Sequence, residues 1–145
     1  MKSRHRAREI ALQILYQYDL SQQTQGKIIP QDHSLVNELV NYYNHFKIAE
    51  ELREFIGQLV VGTLKETSSL DAILEKHTTH WKISRMSAVD RSLLRMAVYE
   101  MTHMSETPRT VVIDEAVELA KQFGTADTPA FINGILDQVQ VQAQI

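Results

Sequence analysis

The chain has 145 residues, of which 43% are hydrophobic, and its 15 Lys and Arg against 18 Asp and Glu give a formal net charge of −3. This composition supports one domain with a sizeable core and argues against a wholly disordered chain, while the absence of Cys excludes disulfides, thiol nucleophiles and Cys-ligated zinc. No apolar run approaches the ~18 residues of a membrane span, and residues 1–9 lack the apolar core of a secretion signal, so we expect a cytoplasmic protein.

The first predicted helix covers about residues 3–21, because its apolar residues form a single stripe. The members of that stripe are Ala7, Ile10, Ala11, Ile14 and Tyr18. Residues 1–8 contain four basic residues and no acidic residue, and we call this group the basic arm: Lys2, Arg4, Arg6 and Arg8. The arm is therefore predicted to form the first turns of this helix.

The charge of the basic arm contrasts with that of the rest of the chain. Without the four arm cations, 11 basic residues stand against 18 acidic residues, a balance of −7. A cationic segment on an acidic body favours a polyanionic partner for that segment, and a solvated, frayed terminus is the alternative.

Three further helices are predicted before residue 80. A polar loop over 22–34 precedes a helix at about 35–46 and a longer helix at about 48–66. Thr67 or Ser68 begins the fourth helix. The apolar residues that this helix directs inward are Leu70, Ile73, Leu74 and Trp81.

Two helices are predicted between residue 80 and Gly124. Ser84 begins a helix of about 20 residues, and Arg91 and Arg95 project from its polar face. Its apolar stripe contains Met86, Val89, Leu93, Ala97, Met101 and Met104. The sixth helix follows Pro108 and ends at Gly124, for which we predict a left-handed cap.

The seventh helix is predicted to start after a cap at Asp127 or Thr128, with Pro129 in its first turn. Gly134 lies inside this helix, where glycine costs about 1 kcal/mol relative to alanine, so we expect a close helix crossing there. Together these elements predict an all-α protein of about seven helices, in two packed sub-bundles at about 1–80 and 81–145 that share one core.

The sequence contains no phosphate-binding glycine loop, nucleophile elbow or zinc-binding helix motif. His77 and His80 would need Glu75 or His103 to complete a metal site, and a surface pair without a role is the more frequent case. Acidic residues at the start of the sixth helix fit the helix dipole better than acid–base chemistry. They are Asp114, Glu115 and Glu118. We predict no enzyme, no catalytic residue, no metal and no cofactor.

Two features favour binding of nucleic acid. Arg4 and Arg8 lie one helical turn apart, and guanidinium groups bind phosphates with two hydrogen bonds and stack on bases. Phe131 lies off the buried stripe of the seventh helix, where an exposed ring can stack on an unpaired base. The alternative is that Phe131 packs under the first helix.

Three blocks of the sequence resemble the NusB family and occur in the family's order. They are SRHRAREIALQILYQYDLSQ, RMSAVDRSLLRMAVYEM and TPRTVVIDEAVELAKQFGTADTPAFINGILDQV. The resemblance implies a fold of two small helical bundles without catalytic activity. It also implies pairing with NusE, a small-subunit ribosomal protein, to hold single-stranded boxA RNA of ribosomal RNA leaders. Such a complex joins other Nus factors on RNA polymerase, suppresses premature termination and assists ribosomal RNA maturation.

The resemblance also assigns RNA-binding residues. The family's contacts match the basic arm and four further positions: Lys2, Arg4, Arg6, Arg8, Tyr16, Arg95, Asp127 and Phe131. His5 stands where many members have another arginine, which lowers the charge of the arm at neutral pH. The NusE interface has no residue-level match, and we expect it mostly on the middle helices at about 48–104.

The predicted contacts form one cation–aromatic surface if the first, fifth and seventh helices converge. That surface would contain Arg8, Tyr16, Arg95 and Phe131. Two alternatives remain open. One is the NusB-like domain of an RNA cytosine methyltransferase, and the other is a helical protein–protein module that does not bind RNA.

Overall fold

The structure is a computed structural model that describes residues 2–25, 39–41, 43–45, 47–78 and 82–139. Its regular elements are α1 (Lys2–Gln25), α2 (Glu50–Lys65), α3 (Thr67–Glu75), a 3₁₀ turn (Ile83–Arg85), α4 (Ala88–His103), α5 (Arg109–Phe123) and α6 (Thr128–Gln138). Residues 39–41 and 43–45 are also helical. The described residues contain no strand, which confirms the predicted all-α class. Most of the predicted loop at 22–34, and Trp81, lie outside the described residues.

None of the described helices is both long and apolar enough to cross a membrane.

The chain divides into two compact units, Met1–Lys65 and Glu66–Ile145. The sequence pattern predicts a boundary near residue 80, whereas the structure places it at Glu66. The reason is that α3 packs against α4 and the 3₁₀ turn, so these residues belong with the second unit.

The first unit is built on α1 packed along α2. The predicted apolar stripe of α1 is buried, and Ala7, Ile10 and Ala11 have no exposed surface. On α2 the buried apolar residues are Phe55, Ile56, Leu59 and Val60. The basic arm forms the first turns of α1, as predicted, so the packing of this stripe also fixes where the arm emerges.

In the second unit, α4 packs against α3, α5 and α6. The predicted start at Ser84 is wrong, because Ser84 lies in the 3₁₀ turn and α4 begins at Ala88. Ser87 precedes α4 with extended backbone angles, and its Oγ accepts a hydrogen bond from the Asp90 N–H at 3.1 Å. Ser87 is therefore the capping residue of this helix.

The prediction that Arg91 projects from the polar face of α4 is also wrong. Arg91 is 4% exposed, and its Nη1 donates to the carbonyls of Ile83 at 3.1 Å and Met86 at 2.9 Å. The guanidinium group thereby donates to carbonyls at the 3₁₀ turn and the residue after it. A charged side chain can be buried in a protein only when it has such hydrogen-bonding partners.

The two glycines of the C-terminal region differ from their predicted roles. Gly124 has φ −97° and ψ −169°, so it is extended and not a left-handed cap. A Cβ at Gly124 would lie 2.5 Å from the Thr128 Cβ, which shows that a close approach requires glycine here. Among the described residues, a Cβ at Gly134 would have nothing within 4 Å, so none of them makes the predicted close crossing there.

Arg109 ties the start of α5 to the end of α6. Its Nη2 donates to the carbonyls of Leu136 at 3.1 Å, Asp137 at 2.6 Å and Val139 at 3.2 Å. The last carbonyls of a helix lack partners within the helix, so a guanidinium group at this position stabilises the C-terminus of α6.

Candidate nucleic-acid interface

The side chains of Arg4 and Arg8 both lie against the ring of Phe55. The guanidinium carbon of Arg4 is 4.6 Å from the ring centroid, and that of Arg8 is 5.2 Å from it. Phe55 is 5% exposed and Arg8 is 3% exposed, whereas Arg4 is exposed. Cation–π contacts contribute about 0.5–1 kcal/mol at exposed sites and about 2 kcal/mol when desolvated. The structure therefore fixes two of the four arm cations on α2.

Arg6 and His5 share one carboxylate partner. Arg6 Nη1 lies 3.1 Å from Glu9 Oε2, and His5 Nε2 lies 3.1 Å from Glu9 Oε1. The side chain of Arg6 remains 55% exposed, and such exposed pairs contribute at most about 1 kcal/mol. Arg6 is thus held loosely on the outer face of α1, and the side chain of Lys2 lies outside the described residues.

The basic arm is placed at the positive end of a helix. The first turn of α1 contains no acidic residue, although the helix dipole favours anions at that end. The arm cations and the positive end of the helix dipole therefore lie in the same part of α1, and both favour a nearby anion such as a phosphate.

Tyr16 lies further along α1 and is half-buried. It belongs to the same unit as the basic arm. Its partial exposure is compatible with the predicted contact to RNA.

In the second unit, Arg95 is paired with a carboxylate of α3. Arg95 Nε donates to Asp71 Oδ1, and Nη2 donates to Oδ2, both at 2.8 Å. The side chains of Arg95 and Asp71 are 15% and 23% exposed. Two of the donors that would bind a phosphate are therefore engaged by Asp71.

Asp127 and Phe131 lie at the start of α6. Asp127 precedes the helix without capping it through its side chain, and the Thr128 Oγ1 instead accepts from the Thr125 N–H at 3.0 Å. The Phe131 N–H donates to the Asp127 carbonyl at 3.2 Å, which places Phe131 in the first turn. Asp127 is exposed and Phe131 is half-buried, so part of the ring reaches the surface.

The structure reveals three partner residues that the sequence pattern did not single out, namely Phe55, Glu9 and Asp71. Glu9 could have been found, because its spacing of three and four from Arg6 and His5 is that of helical ion pairs. Phe55 is indistinguishable by pattern from other core positions of α2, and Asp71 lies 24 residues from Arg95, so neither has a local signal.

The predicted surface combines residues of both units. Arg8 and Tyr16 belong to the first unit, and Arg95 and Phe131 belong to the second. Their convergence on one surface stays a prediction.

Among the described residues, no group of three or more His, Asp or Glu side chains has the arrangement of a metal site. His80, which would have to join His77 in a metal site, lies outside the described residues.

Another aromatic pair lies on α4. The rings of Tyr99 and His103 are stacked, with centroids 4.5 Å apart and an angle of 8° between their planes. Burial, followed by the negative charge of Glu66, raises the pKa of Tyr99 above its usual value of 10.0.

The all-helical fold and the cationic start of α1 place this chain among small α-helical proteins with a candidate anion-binding face. The family model described as NusB family matches residues 5–141, and the chain belongs to the NusB family. A relative named transcription antitermination protein NusB, from Symbiobacterium thermophilum, is 41% identical over 137 residues, which cover 94% of this chain and 88% of the relative.

Two solved structures share the fold. T. maritima NusB has a TM-score of 0.76 and 27% identity to this chain, with 94% of this chain and 89% of that chain covered. A crystal structure of the antitermination factors NusB and NusE in complex with dsRNA gives a TM-score of 0.77 and 26% identity, with 96% of both chains covered.

Proposed function

We propose that this chain is a non-catalytic, RNA-binding transcription antitermination factor. With NusE it binds the single-stranded boxA element of ribosomal RNA leaders, and it promotes ribosomal RNA transcription and maturation together with other Nus factors and RNA polymerase. This role would place the protein in the cytoplasm. The observation that carries the proposal is the NusB family match over residues 5–141, which includes Arg6 and Arg8 of the basic arm.

The exposed arm cations are the proposed phosphate ligands. Arg4 and Arg6 have exposed side chains, and a phosphate can replace water around both. Neutralising a phosphate releases a counterion, so each contact adds to the salt dependence of binding. Arg8 is buried against Phe55, so its proposed part in RNA binding is to support the arm and not to meet a phosphate at the surface.

In the second unit, the proposed contacts are Arg95, Asp127 and Phe131. The partly exposed Phe131 ring would stack on an unpaired base, and the exposed Asp127 carboxylate can accept hydrogen bonds from a base edge. Arg95 would reach a phosphate only by sharing or exchanging its contact with Asp71.

The proposed partner protein is NusE, and the proposed interface lies mostly within 48–104. The solved complex of related NusB and NusE with dsRNA supports a joint complex, although boxA is proposed here as single-stranded. Outside the basic arm the chain has a formal net charge of −7, and an acidic surface attracts a basic ribosomal protein.

A titration of labelled boxA-like RNA tests the proposal, with this protein alone and with NusE, at two salt concentrations. We expect binding that tightens with NusE and weakens steeply with salt. Arg6→Ala should weaken binding, while Lys121→Ala is a matched control because Lys121 is 60% exposed and pairs with Glu118 at 3.2 Å, much as Arg6 pairs with Glu9.

Two results would contradict the proposal. One is the absence of RNA binding at low salt both with and without NusE, which would favour a protein–protein module. The other is equal loss of affinity in Arg6→Ala and Lys121→Ala, which would show that the arm has no special role.

A further inference from the structure

We infer that Phe55 is a positioning residue for RNA binding, which holds Arg4 of the basic arm in place through its ring. The inference rests on the proposed function and adds one residue of α2 to those that support the basic arm. Phe55 itself is 5% exposed and meets no RNA.

The arm needs such support because its own electrostatics oppose the helix. Arg4 and Arg8 are like charges at a spacing of four, which destabilises a helix. Arg4 also lies in the first turn of α1, where the dipole disfavours cations and no acidic residue is present. Without an external partner, these first turns would fray and Arg4 would lose a defined position.

An aromatic ring supplies that partner without removing charge. The guanidinium carbon of Arg4 is 4.6 Å from the Phe55 centroid, within the range of cation–π attraction. A carboxylate would also hold an arginine, but it would offset part of the positive charge, as Glu9 does for the exposed Arg6. The ring therefore orders Arg4 and leaves its positive charge for a phosphate.

The ring is itself buried in the first unit. Phe55 lies one helical turn before Leu59, on the same side of α2, and Leu59 has 0% exposure. Arg8, at 3% exposure, contacts the same ring from the next turn of α1. The position of the ring is therefore set by the core of the first unit.

The test compares Phe55→Leu, which keeps an apolar side chain and removes the ring, with Phe55→Tyr, which keeps the ring. We expect Phe55→Leu to weaken binding of boxA-like RNA about two- to fivefold, the range that a cation–π contact to an exposed arginine represents, and Phe55→Tyr to bind as wild type does. Val60→Ala, another buried position of α2, controls for lost packing and should leave RNA affinity unchanged.

A double-mutant cycle shows whether Phe55 acts through Arg4. In an Arg4→Ala background, the added Phe55→Leu change should have little further effect, because the contact is already lost. Equal losses in both backgrounds, or wild-type affinity in Phe55→Leu, would overturn the inference.

Amide hydrogen exchange provides a readout that does not need RNA. Phe55→Leu should speed exchange in the first hydrogen-bonded turns of α1 but not in α4, and unchanged exchange there would overturn the inference. If the wild type itself binds no RNA, the proposed function fails together with this inference. If the wild type binds RNA and Phe55→Leu binds equally well, only the inference fails.

Discussion

Arg95 and Asp71 form a two-point ion pair that joins α4 to α3, with both hydrogen bonds at 2.8 Å. The fork of a guanidinium group matches the two oxygens of a carboxylate, and the same fork matches a phosphate. Under the proposed function, an RNA phosphate and Asp71 would therefore compete for the same donors of Arg95. The pair stabilises the second unit and, under the proposed function, also restrains an RNA contact.

Asp71→Asn should separate these two effects. Because the side chains are only 15% and 23% exposed, we expect a loss of about 1–2 kcal/mol in the free energy of unfolding. Under the proposed function, RNA affinity at low salt should rise a few-fold. The Arg95 guanidinium is then no longer paired with a carboxylate, and a negative charge that repels RNA is removed. Urea unfolding and RNA titration measure the two quantities.

Glu118→Gln is the matched control for this prediction. Glu118 also pairs with a cation of its own unit, but both partners are 60% exposed, so stability should change by less than about 0.5 kcal/mol. Equal stability of Asp71→Asn and wild type would show that the two-point pair does not hold α3 on α4.

The apolar periodicity predicted much of this fold. The stripe of α1 from Ala7 to Tyr18 is buried, and five of the six predicted stripe residues around α4 are buried, because one face of each helix meets a partner helix. Val89 is the half-buried exception. Which residues form such a stripe depends only on their spacing along the helix, so the buried face can be predicted from the sequence.

The polar contacts could not be predicted in the same way. Arg91 and Arg95 have the same residue type and lie one turn apart, yet one satisfies carbonyls of the 3₁₀ turn and the other pairs with Asp71. Their partners are set by tertiary packing. Gly124 similarly owes its role to the approach of Thr128 and not to its own backbone angles.

Arg8→Ala should destabilise the protein, although Arg8 is a predicted RNA contact. The side chain is 3% exposed and contacts the Phe55 ring, so its removal loses packing and a cation–π contact. We expect the free energy of unfolding to fall by about 1–3 kcal/mol, whereas Arg6→Ala should change it by less than about 1 kcal/mol. Similar urea midpoints for the two variants would contradict the buried placement of Arg8.

Gly134→Ala should stabilise the protein. A Cβ at this position would have nothing within 4 Å in the part of the chain that the structure describes, and alanine is favoured over glycine inside a helix by about 1 kcal/mol. Thermal unfolding should show a higher Tm. Gly124→Ala provides the contrast, because a Cβ there would lie 2.5 Å from the Thr128 Cβ and should lower Tm.

Tyr99→Phe should reduce the sensitivity of the fold to alkaline pH. Burial and the charge of Glu66 raise the pKa of Tyr99, so the neutral phenol is favoured in the folded state. Its stabilising contribution is complete below the usual pKa of 10.0 and is lost as pH rises through the higher folded-state pKa. Stability of wild type should therefore fall more steeply above pH 10 than that of Tyr99→Phe. Parallel curves of stability against pH would contradict the assignment.

Phe131→Ala should weaken RNA binding through lost stacking and not through lost charge. The half-buried ring can present one face to a base, and removal of a stacking ring costs about 1–3 kcal/mol, so we expect roughly tenfold weaker binding. The dependence of affinity on salt should stay as in wild type, because no phosphate contact is removed, whereas Arg6→Ala should lower the slope by about 0.7. Phe131→Tyr, which keeps the ring, should bind as wild type does. A reduced salt slope in Phe131→Ala would instead mean that the ring acts by placing a cation, and the stacking role would be wrong.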